Sequence, residues 1–256
     1  MKSIALVIAG IAVMQVLPAQ EKQDALTGGT VKYEEKVKLE IHLDGDGAQF
    51  ANMLPKERKS NKILIFNNES ALYTNDKESA EEDLAMEGEG GMVQIRMMEP
   101  DNKMFTDLKN RKQIEQREFM TRMFLIESDM NASPWKFTGN EKDILGYTCQ
   151  EAVLEKDSTK TVAWFTPAIP IPFGPGNYNN LPGLVLAVDI DNGQRVLTAL
   201  SIDPVPADKS KLVKPKDGKK VTEEEFKAIV DEKMKEMGAE HGGVGKQQHI
   251  MIRIEK

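Results

Sequence analysis

TVKYEEKVKLEIHL, residues 30–43, alternates with a period of two: Val31, Tyr33, Val37, Leu39, Ile41 and Leu43 fall on one parity, and Lys32, Glu34, Lys36, Lys38, Glu40 and His42 on the other. Successive side chains of a strand point to opposite faces, so this stretch reads as a long strand with one buried and one wet face. Asp44-Gly45-Asp46-Gly47 then turns the chain. Working outward, residues 62–66 and 71–74 flank Asn67-Asn68-Glu69-Ser70 as a hairpin with a four-residue loop. Further strand segments fall at 92–98, 103–106, 112–118, 122–126, 135–137, 150–155, 161–165, 185–190 and 196–202, and Asn192-Gly193 joins the last two as a tight hairpin. Strands follow strands without intervening helical repeats, which predicts a mainly β chain with an antiparallel sheet. The acidic run at 76–91 reads as a solvated loop.

The two ends differ from this body. Met1 and Lys2 precede an almost unbroken apolar run over 4–16, and Leu17, Pro18, Ala19 and Gln20 follow before the polar Glu21. That predicts a cleaved signal peptide over residues 1–20, because a membrane span needs about 20 apolar residues. The chain is therefore expected to be exported. No cysteine near the cleavage point offers a lipid acceptor, and no later stretch reaches spanning length. Residues 21–203 are expected to form the antiparallel β domain, and 204–256 a proline- and lysine-rich linker, one amphipathic helix and a tail. Thr222 and Glu225 form a capping box, while Phe226, Ile229, Val230, Met234 and Met237 recur at helical spacing, giving a helix over about 222–237 that Gly238 ends. Residues 249–254 alternate again and read as a final edge strand.

Composition excludes several functions. A net charge of −7 and a pI near 5.2 argue against nucleic acid and against anionic membrane surfaces, both of which need clustered lysine and arginine. Cysteine occurs once, at Cys149, so no intramolecular disulfide forms and the residue reads as a buried thiol. His42, His241 and His249 lack ligand-like spacing, and Asp44-Gly45-Asp46-Gly47 lacks the downstream glutamate of a calcium loop, Pro55 standing in its place. Met92, Met97, Met98 and Met104 read as core residues rather than thioether ligands. Neither a metal nor a cofactor is expected.

One region carries a candidate site. Ala163-Trp164-Phe165-Thr166 ends a strand, and Pro167, Pro170, Pro172, Pro175 and Pro182 then fix an irregular path punctuated by Gly174, Gly176 and Gly183. Proline cannot donate to a ladder, so this segment is an ordered loop over the sheet, with Leu181 and Leu184 as apolar pegs. Trp164, Pro170, Gly174, Pro175, Tyr178, Asn180, Leu181, Pro182, Gly183 and Leu184 are the candidate ligand-binding residues. A rigid connector is the competing reading.

The same residues carry a resemblance. Asn180-Leu181-Pro182-Gly183-Leu184-Val185 resembles the signature of the GLPGLI family of exported proteins from diderm bacteria, with Asn180 in place of the first glycine and Val185 in place of the last isoleucine. Trp135, Ile144-Leu145-Gly146-Tyr147-Thr148-Cys149, Ala152, Ala163-Trp164-Phe165-Thr166, Ile169-Pro170 and Gly174-Pro175 match in order. The resemblance implies an envelope protein of undefined activity, periplasmic or associated with the outer membrane, often linked to TonB-dependent outer-membrane transporters. It also implies a likeness to periplasmic lipoprotein-carrier folds, in which an open antiparallel half-barrel encloses an apolar groove. The resulting expectation is a β-rich α+β protein with a curved sheet and one C-terminal helix. Its expected role is non-enzymatic binding of an apolar small molecule or peptide, or partnership with such a transporter. The alternatives are a hydrolase using Cys149 or paired carboxylates, and a purely structural partner of the transporter.

Overall fold

The alternating stretch divides: residues 30–38 lie in the middle of the large sheet, and 40–42 form a short strand of a separate sheet. The computed structural model describes residues 26–42, 55–77, 84–88, 91–95, 99–130, 133–156, 158–206, 209–240 and 251–253; of these, 40–42, 84–88, 91–95, 237–240 and 251–253 are described by their backbone alone. Strand β1 (Gly28–Lys38) is followed by β2 (Glu40–His42), β3 (Glu57–Asn67), β4 (Ser70–Asn75), β5 (Leu84–Gly88), β6 (Gly91–Ile95), β7 (Lys103–Asp107), β8 (Lys112–Phe119) and β9 (Arg122–Asp129). The second half adds β10 (Lys136–Ile144), β11 (Tyr147–Lys156), β12 (Thr159–Thr166), β13 (Leu184–Ile190), β14 (Arg195–Asp203), β15 (Lys219–Val221), α1 (Glu223–Glu240) and β16 (Met251–Arg253). Twelve strands form one sheet in the order β10-β11-β12-β13-β14-β1-β3-β4-β7-β8-β9-β15. Each half is a meander, and β1 joins them by pairing antiparallel with both β14 and β3.

Chain length forces this sheet to bend. Strands β9 and β10 stand ten spacings apart in the sheet order, about 48 Å if the sheet were flat. Residues 130–135 alone connect them, and that segment reaches at most about 25 Å. The sheet therefore curls so that its ends approach, while remaining open: β10 pairs only with β11, and β15 only with β9. Fold class and curvature are thus as the period-two pattern and the resemblance led us to expect.

Several local features differ from expectation. The acidic stretch read as a loop contains a hairpin, because Leu84 and Met86 pair with Ile95 and Val93 and the two glycines Gly88 and Gly91 oppose each other at its closed end. Its apolar residues are few but correctly spaced, a signal that the density of carboxylates hid. The first hairpin closes on only Asn68 and Glu69, since the Asn67 side chain accepts hydrogen bonds from the backbone N–H of Glu69 and Ser70, each at 2.8 Å, and so replaces part of the loop. Of the segment expected at 135–137, Lys136 and Phe137 belong to a nine-residue strand, β10, that runs on to Ile144, while Trp135 precedes it; the polar, exposed composition of β10 gave no periodic signal. The linker contributes β15, which adds in parallel to β9. The terminal strand β16 pairs with β2 in a separate two-stranded sheet. The leader expected at 1–20 and the calcium-like turn at 44–47 lie outside the described residues.

Register sorts the side chains onto two faces. Val31, Tyr33, Glu35 and Val37 of β1 share a face with Leu64 and Phe66 of β3, Leu197 and Ala199 of β14, and Val188 and Ile190 of β13. This face carries the main core, which is fully buried from Val31 to Phe165 and Leu186. At the far end of the same face, Phe124 and Ile126 of β9 receive α1 through Phe226, whose ring stands 5.2 Å from that of Phe124. The helix begins where the capping box placed it: Thr222 N–H donates to Glu225 Oε2 at 2.9 Å and Glu225 N–H to Thr222 Oγ1 at 3.1 Å. It runs through Gly238 to Glu240. Thr222→Ala is expected to lower stability by about 1 kcal/mol. Hydrogen exchange would show faster exchange in the first turn of α1 and unchanged protection in β1.

Candidate functional site

The proline-rich segment is stitched to β13 by its own backbone. Leu184 N–H donates to Ile169 O and Val185 N–H to Phe173 O, each at 2.9 Å, and Asn180 N–H reaches Pro172 O at 3.2 Å. Prolines at 170 and 172 remove donors that would face away, so Ile169, Ile171 and Phe173 turn inward and are buried. Phe173 packs on Phe66 of β3, with ring centroids 6.4 Å apart, and Tyr33 of β1 donates its hydroxyl to Val185 O at 2.7 Å. Trp135 donates its indole N–H to Asn179 O at 3.2 Å. The loop is a plug in the core face, held from both halves of the sheet.

The candidate residues divide accordingly. Gly174, Pro175, Leu181, Gly183 and Leu184 are buried, Trp164, Tyr178 and Asn180 are half-buried, and Pro170 and Pro182 are exposed. Asn180 has a φ of +64°, the left-handed conformation that glycine adopts freely and asparagine tolerates. Trp164 points to the opposite face from Phe165 and carries the Lys142 ammonium 4.1 Å from its ring centroid. The candidates therefore do not converge on one cavity. An open cleft of about 550 Å³ lies at the rim, formed by Leu145, Gly146, Tyr147 and Thr148 at the β10–β11 turn, with Gln150, Pro167 and Ala168 beside them.

A second constellation was not anticipated. Glu35 sits on the apolar parity of β1, 4% exposed, and accepts a hydrogen bond from Arg195 Nε of β14 at 2.5 Å. Lys62 of β3 stands with its Nζ 3.6 Å from the same carboxylate, donates to Asn75 Oδ1 at 2.7 Å and pairs with Glu99. Burial pushes the Glu35 carboxyl up, but Arg195, Lys62 and Arg58 outweigh it and hold the group below its ordinary value. Tyr178 from the loop lies within electrostatic reach of Arg195 and Glu35, and burial pushes its phenol up. Tyr73 of β4 packs edge-on against Tyr33, with centroids 6.3 Å apart. The sequence did hold one signal for this cluster: a lone carboxylate on the buried parity of an otherwise apolar strand face.

Cys149 is fully buried and its thiol is pushed up to about 11 by burial. A thiol with that value is protonated at neutral pH and is a poor nucleophile. In the folded protein Cys149 is expected to stay unmodified by an aromatic disulfide reagent, and to react at once in denaturant. Among the described residues, no three histidine, cysteine or carboxylate side chains lie together as a metal site. No described helix is long and apolar enough to cross a membrane.

Fold and site define an open, curved antiparallel sheet whose core face holds a proline-rich plug and a buried ion cluster. Comparison with known proteins adds the following. A family model described as "Protein of unknown function (Porph_ging)" matches residues 153–187, from within β11 through the plug into β13. No curated protein matches the chain. Two solved structures of PNGF-II are similar in fold. One, in space group P21, has a TM-score of 0.54 and 18% identity, with 79% of this chain and 33% of that one covered. The other, in space group C2, has a TM-score of 0.53 and 19% identity, with 80% and 32% covered. The chain thus spans about a third of the length of the PNGF-II structures it resembles.

Proposed function

We propose that this chain is an exported, non-enzymatic binding or accessory protein of the cell envelope, which holds an apolar or peptide ligand in the trough of its curved sheet. The observation that carries the reading is how the core face is covered. The plug fills one part and α1 covers another, its Phe226 lying under the Arg117 guanidinium, and between them the same face carries Met104 and Glu115, both half-buried. A partly open, curved face with aromatic walls suits a ligand. Export is supported by the apolar leader, and membership of the GLPGLI family by the signature at 180–185, which falls inside the stretch matched by the family of unknown function. A transporter of the outer membrane is the partner that this resemblance implies.

Hydrolysis is the weaker reading, because Cys149 is buried with a raised thiol pKa and Glu35 is already engaged by two cations. Native mass spectrometry of the chain expressed with export is the direct test. A bound apolar molecule or peptide, released on denaturation, is the expected result. An empty protein that also fails to bind a panel of apolar fluorescent probes would remove the trough reading.

A further inference from the structure

We propose that the ion cluster around Glu35 is the head-group end of this trough, and that it takes a carboxylate attached to an apolar body. The inference rests on the trough reading above and adds the chemical class of the ligand. Three cations, Arg58, Lys62 and Arg195, face two carboxylates, Glu35 and Glu99, which leaves a surplus positive charge. Arg195 spends only its Nε on Glu35, and its side chain is 38% exposed while that of Glu35 is 5% exposed. Its two terminal nitrogens have no hydrogen-bond partner among the described residues.

Two buried groups beside them are also unpaired. The Tyr73 hydroxyl, on a residue only 9% exposed, and Arg58 Nε each lack a hydrogen-bond partner among the described residues. The Tyr73 hydroxyl lies within electrostatic reach of Glu35, Arg195 and Glu99. A buried polar group without a partner is costly, so a pair of such donors beside a surplus cation points to a missing acceptor that carries negative charge. The planar fork of a guanidinium matches a carboxylate, and a phenol can donate to the same group. Around it stand the rings of Tyr33 and Tyr73, with Tyr178 of the plug within electrostatic reach of Arg195 and Glu35; they favour an apolar group next to the carboxylate.

Calorimetric titration of the full chain with decanoate and with decan-1-ol tests this. Decanoate is expected to bind with one-to-one stoichiometry, at least about tenfold more tightly than the alcohol, as a hydrogen bond to a charged group provides. Tyr73→Phe removes an unpaired hydroxyl and should fold normally, and Arg195→Lys keeps the charge that Glu35 needs. Each is expected to weaken decanoate at least about tenfold and to leave the alcohol unchanged. A peptide ending in leucine, as free acid and as amide, identifies the source: if the acid outcompetes decanoate and the amide does not, the carboxylate is a peptide terminus. Equal binding of decanoate and decanol, or decanoate binding indifferent to both substitutions, would overturn the carboxylate site and leave the trough standing. If no probe binds, both readings fall.

Discussion

Gly183→Ala is expected to abolish stable folding or to cost more than about 4 kcal/mol, among the largest effects a single methyl group can have. A Cβ at this position would stand 2.1 Å from Thr166 O and 2.6 Å from Thr166 C, and both are backbone atoms at the end of β12. They cannot swing aside as the tip of a flexible side chain could. Thr166 is itself fully buried, with its hydroxyl bound to Thr148 O of β11 at 3.0 Å. Relief would therefore have to break the β12–β13 pairing or lift the plug off the sheet. Gly174 is held in the same way, 2.0 Å from Tyr178 O and 2.8 Å from the Val185 Cβ. Gly176 supplies the control: its φ is +60°, but nothing lies within 4 Å, so Gly176→Ala should cost only about 1 kcal/mol from the left-handed backbone. Urea unfolding of the three variants checks the order. Equal midpoints for Gly183→Ala and Gly176→Ala would mean that the plug is not packed as described.

This contrast shows why the signature at 180–185 could be noticed in the sequence without its reason being visible there. Proline placement within residues 161–190 alone predicts an ordered loop with apolar pegs, and Leu181 and Leu184 are 1% and 0% exposed. The requirement for glycine at 183 comes from a strand end seventeen positions earlier, and no local pattern encodes that approach. The strands themselves were legible where one face is wet, because period-two alternation is then written into the residues. It failed for β10, exposed on both faces, and for the short β15, which is a strand only because β9 offers an edge. Pairing was the least legible feature. β1 bridges two meanders by binding β14, about 160 residues away in the chain, and the curvature follows from that closure together with the short β9–β10 link. Glu35 is easily missed because the six other residues on its parity between 31 and 43 fit the apolar alternation and it alone does not. That exception marks the place where the two halves exchange an ion pair.

Glu35→Gln is expected to destabilise the protein by about 3 kcal/mol, the lower end of what breaking a buried ion pair costs. The magnitude is set by what happens to the partners left behind. Arg195 is 38% exposed and can turn its guanidinium to water, and Lys62 keeps Glu99 and Asn75, so neither cation is stranded without a partner. Were Arg195 as buried as Glu35, the upper end would apply. The same geometry predicts a pH dependence with a definite sign. Glu35 has a folded pKa below its unfolded value because the cations on β3 and β14 outweigh its desolvation, so its contribution is complete above about pH 5 and is lost as the pH falls through the folded value. The wild-type protein should therefore lose midpoint stability in urea below about pH 4 more steeply than Glu35→Gln, whose neutral amide has no proton to take up. Parallel acid limbs for the two proteins would show that Arg195 and Lys62 do not hold Glu35 ionised in the core.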